Sequence, residues 1–281
     1  MSFSQITTIL PKRQLSWLCG TLAHVPLPPV LRAPVLRAFS QLVGIDESEA
    51  ELALSEYPSV GAFFSRKLRL GARQVDPAVL TCPVDGTLRE IGQASPEGKL
   101  LIKGVTYTLR DLLGDEEAIA AAHGTQVWNV YLSPRDYHRV HAPVDGILER
   151  IIHIPGSLWP VNDWSLATID KLFSRNERVI FVFRQEDRCT LMAMVGATNV
   201  GSIRLTDDSS FTTSRFLCGS NRRPRSLPIG QKVKRGDDVA YFTLGSSVLL
   251  FWHHLCPRHE LPSLIEPGSH VLMGLPLVTR A

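Results

Sequence analysis

The sequence has no long uninterrupted apolar run, no closely spaced cysteine pair and no large excess of one charge. Charged residues and prolines break every N-terminal apolar segment before about 18 residues, so no transmembrane helix is expected. The cysteines number five, are widely spaced and lack a Cys-x-x-Cys pair, which argues against a disulfide framework and a structural zinc site. The chain also begins without the basic region of a secretory signal peptide. We therefore expect a protein that stays inside the cell, in a reducing compartment.

The overall charge excludes one broad class of partner. Thirty basic and 27 acidic residues give a net charge of +3, too small a surplus for a surface devoted to nucleic acid. The length of 281 residues allows one large domain or two modest ones, and 44% apolar residues suffice for a buried core. A globular protein without a nucleic-acid partner is expected.

Residues 1–45 form the longest segment without a carboxylate. This composition is typical of a segment that lies on an anionic membrane surface, and equally of a helical cap with a solvated basic face. Both interpretations stay open on the sequence alone. The basic and the apolar side chains that would contact such a surface are Lys12, Arg13, Arg32, Arg37, Trp17, Leu31, Val35 and Phe39.

The hydrophobic pattern predicts an α+β fold with an N-terminal helical, membrane-facing segment over 1–70. Residues 71–281 read as short strands, which predicts a mainly antiparallel β-sandwich or barrel-like catalytic core. One helix of about a dozen residues is expected between Leu109 and Gly124. The polar, basic segment from Phe211 to Gly236 is expected to be a loop, either solvated or in contact with phosphate headgroups.

A short repeated motif contains an aspartate in each of its two copies. Pro-Val-Asp-Gly occurs at 83–86 and again at 143–146, each time before a strand. The repetition indicates either convergent turn chemistry or a duplicated half of a barrel-like sandwich. The residues alone do not show which of the two aspartates, Asp85 or Asp145, has a functional role.

Two further motifs contain residue types that carry chemistry. His138 and His141 follow a strand and a proline turn; a metal pair is disfavoured because no suitable third ligand is near and Asp136 is poorly spaced. Gly245 and Ser246 interrupt an apolar strand, where glycine marks a bulge or a close backbone approach. On its own, this pair indicates no more than a bulge.

Taken together, these motifs resemble the phosphatidylserine decarboxylase family of pyruvoyl enzymes over nearly the whole chain. The blocks that carry the resemblance, in order, are PVDGT (83–87), YLSPRDYHRVHAPVDG (131–146), PGSLWPVN (155–162), LFSRNERV (172–179), VGATNVGSI (195–203) and LGSS (244–247).

The resemblance implies a proenzyme that cleaves itself between Gly245 and Ser246 into chains 1–245 and 246–281. It assigns Ser246 as the nucleophile that attacks the Gly245 carbonyl, His141 as its base and Asp85 as the carboxylate that orients His141. His138 would position the substrate or supply a proton.

The cofactor implied by the resemblance is a covalent pyruvoyl group derived from Ser246. It would form a Schiff base with phosphatidylserine and accept the electrons left by carbon dioxide, giving phosphatidylethanolamine. A peripheral protein on the cytoplasmic face of an anionic cell membrane, assembled as a homodimer of two-chain units, is implied as well. The family motif is usually LGST, so the LGSS of this chain leaves the cleavage rate open.

Two other classes compete with this interpretation. Pro-Val-Asp-Gly turns also occur in biotinyl-like and hybrid-motif carrier modules, which would be noncatalytic β-sandwich binding domains. An ordinary serine hydrolase would keep Ser246 intact, although the chain has no Gly-x-Ser-x-Gly elbow. Intact mass separates the proenzyme from the two alternatives, because only the proenzyme yields two chains.

Overall fold

The structure is a computed structural model. It describes residues 22–161, 163–186, 188–197, 203–208, 211–213, 224–243, 246–253, 259–260 and 265–280. Lys12, Arg13, Trp17 and Gly245 lie outside the described residues.

The described helices are short and concentrated toward the N-terminal half. The α-helices are α1 (Pro29–Val43), α2 (Val60–Phe64), α3 (Leu109–Leu113), α4 (Glu116–Ala122), α5 (Asp163–Thr168) and α6 (Leu172–Arg175), with 3-10 turns at Glu47–Glu49 and Leu54–Glu56.

Strands make up most of the rest. They are β1 (Leu80–Thr81), β2 (Gly86–Gln93), β3 (Lys99–Ile102), β4 (Val105–Thr108), β5 (Gln126–Leu132), β6 (Arg139–His141), β7 (Gly146–Ile154), β8 (Arg178–Arg184), β9 (Cys189–Val195), β10 (Ile203–Leu205), β11 (Arg225–Val233), β12 (Asp238–Phe242), β13 (Ser246–Trp252), β14 (His259–Glu260), β15 (His270–Val271) and β16 (Pro276–Arg280).

The helical N-terminal part packs around its own small core. Proline at the first position of α1 is preorganised for a helix, and Gly44 ends the helix in the left-handed conformation at φ 84°. Leu36 of α1 is fully buried against a cluster that includes Ile45, Tyr57 and Phe63. Within the described part of the chain, none of the helices is long and apolar enough to span a membrane.

An eight-stranded antiparallel sheet dominates the rest of the fold, in the order β11-β7-β8-β9-β13-β5-β2-β15. Strand β13 lies near its centre, between β9 and β5, and Val248 through Trp252 are buried. Their burial explains why β13 is a continuous apolar run, since a strand covered on both faces does not alternate. The α+β class and the mainly antiparallel sheet predicted from the sequence are confirmed.

Smaller sheets complete the core and carry part of the site. They have the orders β10-β12-β6, β1-β16-β14 and β3-β4. The two Pro-Val-Asp-Gly copies both lead into strands, β2 and β7, as expected. A Cβ on Gly86 would come within 2.5 Å of Tyr131 O, and one on Gly146 within 2.5 Å of Arg184 O. Glycine is therefore required by close backbone approach in both copies.

Two local predictions are wrong. The helix expected from Leu109 to Gly124 is two helices, because Gly114 ends α3 at φ 62° and Asp115 caps α4 by accepting from Ala118 N. The segment predicted as a loop contains β11, which pairs with β7 at the sheet edge. All its residues before Val233 are exposed, so β11 lacks the alternation by which a strand is recognised.

Candidate active site

The loop between β5 and β6 holds both sequence-predicted histidines in place. Asp136, a buried carboxylate, organises this loop by accepting from Ser133 N at 2.7 Å and Ser133 Oγ at 2.8 Å. It also accepts from His270 Nε2 at 3.1 Å, which ties the loop to β15. The position of His138 is thus set by a hydrogen-bonded turn.

His138 is fully buried, and within the described part of the chain only one of its two ring nitrogens has a hydrogen-bond partner. Nδ1 donates to Asp136 O at 2.8 Å, which leaves Nε2 as the acceptor of a neutral imidazole. The ring packs against Phe64 of α2 with centroids 4.1 Å apart. Burial lowers the pKa of His138 to about 4. Among the described residues Nε2 has no hydrogen-bond partner, so it is a buried acceptor ready for a proton.

His141, at the end of β6, has both ring nitrogens occupied. Nδ1 donates to Gly236 O at 2.7 Å, and Tyr137 Oη donates to Nε2 at 3.0 Å. Burial lowers the pKa of His141 and raises that of Tyr137, so both groups are neutral at pH 7. Sequence reasoning missed Tyr137, although it lies within the YLSPRDYHRVH block.

Asp85 is buried and strongly bound. Arg73 Nε lies 3.1 Å from both carboxylate oxygens and Nη2 is 2.5 Å from Oδ2, while Met273 N donates to Oδ1 at 2.8 Å. The same guanidinium contacts Glu49 at 2.6 and 2.8 Å. Burial alone would lower the pKa of Arg73, but the bonds to Glu49 and Asp85 outweigh it and raise that pKa. No sequence signal pointed to Arg73 or Glu49.

Asp85 lies beside His141 without hydrogen-bonding to its ring. His141 N donates to Pro83 O at 2.9 Å, which aligns the Pro-Val-Asp-Gly segment with β6. The charge of Asp238, and more weakly that of Asp85, favours the protonated form of His141, and the bond that fixes the imidazole comes from Gly236 O. The other candidate, Asp145, has a largely exposed carboxylate that binds Arg235. The structure thus separates the two aspartates, and only Asp85 is buried close to His141.

Asp85, Tyr137, His138 and His141 form what we call the histidine cluster. Backbone hydrogen bonds connect the predicted cleavage point to it. Strand β13 begins at Ser246, which pairs with Leu132 at the end of β5. Leu132 directly precedes the loop between β5 and β6, residues 133–138, which we call the histidine loop. On the other side of the cleavage point, Phe242 N donates to His138 O at 3.0 Å. The chain is therefore held against the histidine loop on both sides of Gly245 and Ser246.

The site is built from histidines, a phenol, carboxylates and guanidinium groups. Over the described ranges, no group of three or more histidine, cysteine or acidic side chains has the spacing to hold a metal ion. The arrangement offers a free neutral imidazole, a second imidazole with a phenol at its Nε2, and a carboxylate fixed by arginine. These groups suit proton transfer.

Comparison with known proteins gives a consistent result. The profile of the phosphatidylserine decarboxylase family matches residues 60–279. Three proteins named phosphatidylserine decarboxylase proenzyme are similar over most of their length. That of Myxococcus xanthus (strain DK1622) is 35% identical, covering 89% of each chain. That of Anaeromyxobacter sp. (strain K) is 35% identical, covering 98% of this chain and 97% of its own. That of Azoarcus sp. (strain BH72) is 38% identical, covering 89% of this chain and 86% of its own.

The chain belongs to the phosphatidylserine decarboxylase family. Membership makes it a carboxy-lyase of the proenzyme type, and it disfavours the carrier module and the serine hydrolase. The family profile covers the whole histidine cluster and the predicted cleavage point. The individual roles of Asp85, His138, His141 and Ser246 stay predictions.

Proposed function

We propose that this chain is a self-processing proenzyme that decarboxylates phosphatidylserine to phosphatidylethanolamine. The observation that carries the proposal is the gathering of His138, His141 and Asp85 where β13 begins at Ser246, in a chain of this family. These residues come from separate segments of the sequence, and the fold brings them to the end of one central strand.

Maturation requires a base for the Ser246 hydroxyl. In our proposal this hydroxyl adds to the Gly245 carbonyl, and the Gly245–Ser246 C–N bond breaks as the Ser246 nitrogen takes up a proton. The resulting ester loses the Gly245 carboxylate by β-elimination, and water converts the dehydroalanine that remains to the pyruvoyl group and ammonia. In the first step the hydroxyl proton passes to His141 Nε2. Tyr137 Oη already donates to that nitrogen at 3.0 Å, so the phenol carries the proton between the two. Gly236 O keeps the other nitrogen protonated, which fixes Nε2 as the acceptor. Asp238 and, more weakly, Asp85 favour the imidazolium that forms, because both carry a negative charge that acts on this ring.

Turnover requires a carbonyl cofactor and a group that moves one proton. A pyruvoyl group derived from Ser246 would supply the carbonyl that holds the substrate amine and accepts the electron pair left by carbon dioxide. The orphaned Nε2 of His138 fits such a group, because it is a buried acceptor held at a fixed orientation with no partner among the described residues. His138 would take a proton from the incoming ammonium and return one to the substrate carbon. A pKa near 4 keeps the imidazole neutral before the substrate arrives.

Intact mass tests the self-processing directly. The purified protein should consist of two fragments, the smaller being 246–281, which is 281 minus 245, or 36, residues with a blocked N-terminus. Ser246→Ala should remain one 31.2 kDa chain without activity. Ser247→Ala is the matched control on the same strand and should still cleave. An uncleaved wild-type chain that decarboxylates phosphatidylserine would contradict the proposal, and a cleaved chain that releases no carbon dioxide would contradict the activity.

A peripheral position on the cytoplasmic face of an anionic membrane is the second part of the proposal. Helix α1 exposes Val30 at 82% and Leu42 at 86%, with Leu31 and Val35 also exposed. Several exposed apolar side chains on one helix are typical of an interfacial helix. Phe39, which the sequence placed on this face, is instead half-buried against the small helical core.

The C-terminal end of α1 lies close to the loop that carries His138. A Cβ on Gly44, the residue that ends α1, would lie 4.0 Å from Cβ of Arg135 in the histidine loop. A lipid headgroup bound beside the C-terminal end of α1 would therefore lie near the loop that carries His138. This placement supports the membrane proposal, because the substrate is itself a membrane lipid.

Substitution of exposed residues tests membrane binding better than truncation. Deleting residues 1–45 would remove Leu36 from the buried helical cluster and disturb folding. Val30→Asp with Leu42→Asp should reduce sedimentation with anionic vesicles and leave self-cleavage intact. Leu101→Asp changes an exposed apolar side chain on β3 and should have no effect. Unchanged vesicle binding by the double variant would refute the role of α1.

Assembly as a homodimer of two-chain units completes the proposal. It rests on family membership alone and is tested by the mass of the purified particle in solution. A monomeric particle at working concentration would contradict it.

A further inference from the structure

A buried arginine beside the histidine cluster has donors that nothing in the described structure uses. Arg66 follows α2 closely and is 3% exposed. Among the described residues, its Nε and Nη1 atoms have no hydrogen-bond partner. A buried guanidinium is ordinarily paired, because an unpaired donor loses its bonds to water without replacement.

Another arginine in the same protein shows what a structural role looks like. Arg178 is also 3% exposed, yet all three of its nitrogens are satisfied by backbone carbonyls. The acceptors are Leu112 O at 2.6 Å, Ser174 O and Asn176 O at 2.8 Å, and Asp111 O at 2.5 Å. The Arg66 guanidinium instead lies over the ring of Phe63, with its Cζ 5.4 Å from the ring centroid. The two arginines are equally buried but differ in their hydrogen bonds. This difference indicates that Arg66 binds an acceptor from outside the described chain.

Arg66 lies at the site described above. Its neighbour Phe64 packs on His138, and Ser65 O accepts from Arg139 Nη1 at 3.3 Å. Its charge acts electrostatically on both His138 and Tyr137. The carboxylates of Glu49 and Asp85 attract the Arg66 charge, but their oxygens accept hydrogen bonds from Arg73 instead. An anion that enters the site would therefore find free donors on Arg66.

We propose that Arg66 binds the phosphodiester of the lipid headgroup and positions the substrate for His138. This inference rests on the proposed decarboxylase function. The substrate carries two anionic groups, and the reaction distinguishes them. The carboxylate leaves as neutral carbon dioxide, so a guanidinium paired with it would stabilise the ground state and slow the reaction. The phosphodiester keeps its charge throughout, and guanidinium groups match phosphate oxygens well.

Kinetics of the matured enzyme give the first test. Arg66→Met should mature normally and raise KM for a short-chain, water-soluble phosphatidylserine by roughly tenfold or more, with kcat changed by less than about threefold. Lys67→Met, an exposed neighbour, is the control for general electrostatics and should match the wild type. A fall in kcat at unchanged KM would overturn the proposal. If Arg66→Met does not fold, Arg66→Lys, which keeps the charge but loses the planar fork, should show a smaller rise in KM.

Ligand binding without turnover gives a second test that does not depend on decarboxylation. At matched ionic strength, dimethyl phosphate should raise the unfolding temperature of the wild type and of Lys67→Met, but not of Arg66→Met. Acetate should produce no Arg66-dependent shift. An Arg66-dependent shift with acetate and not with dimethyl phosphate would assign Arg66 to the carboxylate and refute the proposal. An Arg66-dependent shift with inorganic phosphate alone would indicate a free-phosphate site and refute it equally.

Discussion

Replacing His138 with asparagine tests the role of the Nε2 atom of that imidazole. The short amide of asparagine can keep the donor to Asp136 O that Nδ1 now supplies at 2.8 Å. It cannot supply the acceptor at Nε2. The variant thus removes the group proposed to move protons and retains the bond that shapes the loop.

The pH dependence of stability gives the magnitude. Burial lowers the pKa of His138 from 6.5 to about 4, so between these values the unfolded chain binds a proton that the folded chain does not. The wild type therefore loses stability as the pH falls through this window, by about 2 kcal/mol at pH 5 and about 3 kcal/mol below pH 4. The asparagine variant has no group that titrates at this position and loses none of this contribution.

Urea unfolding at pH 7 and pH 5 measures the difference. Both proteins should be compared in the uncleaved Ser246→Ala background, where each is a single polypeptide. The loss of unfolding free energy between the two pH values should be about 2 kcal/mol larger with His138 present than in the His138→Asn variant, and all other titrating groups cancel in the comparison. Parallel losses would show that His138 is not held neutral by burial.

The same substitution has a separate effect on activity. In the cleavable protein, His138→Asn should still yield two chains but decarboxylate about 10²- to 10⁴-fold more slowly, because proton transfer is lost. His123→Asn is the matched control, since Nδ1 of His123 also donates to a carbonyl, Pro96 O at 2.8 Å, away from the site. Full turnover by His138→Asn would refute the proposed role.

The other predictions concern maturation, followed as the cleaved fraction over time. His141→Ala should slow cleavage at least about 10²-fold, because the base is lost. Asp85→Asn should also slow it, since a buried charge beside His141 disappears, whereas Asp145→Asn should cleave normally because that carboxylate is largely exposed. Tyr137→Phe should slow cleavage roughly tenfold by removing the hydrogen bond to Nε2. Normal cleavage in the His141 or Tyr137 variant would refute the proposed proton transfer from Ser246 through Tyr137 to His141.

The sequence predicts the parts of this fold and site whose signals are local. The apolar run that became β13 and the turn residues before β2 and β7 depend on neighbours in sequence, so those elements are predicted correctly. Gly114 is local too, but its effect on the helix depends on the left-handed conformation it adopts, which the composition of the segment does not reveal. The exposed edge strand β11 has no apolar pattern to recognise.

Pairings between distant segments carry no such signal. Arg73 contacts Glu49, 24 residues earlier, and Asp85, 12 residues later. Asp85 stands out by its Pro-Val-Asp-Gly motif, but Glu49 and Arg73 read as ordinary charged surface residues. Tyr137 meets His141 only because a turn, organised by Asp136, brings the two side chains together. These contacts follow from the tertiary structure, which local propensity does not encode.

The site lies where the helical N-terminal part meets the β core, and this position has a physical consequence. Glu49 reaches Asp85 through Arg73, and Phe64 packs on His138, so helical residues hold both a carboxylate and an imidazole of the cluster. A displacement of the helical part would therefore disturb the groups proposed for maturation and for turnover together. Because α1 also carries exposed apolar side chains, the proposed contact with a lipid surface would act on the same helical part that holds these groups.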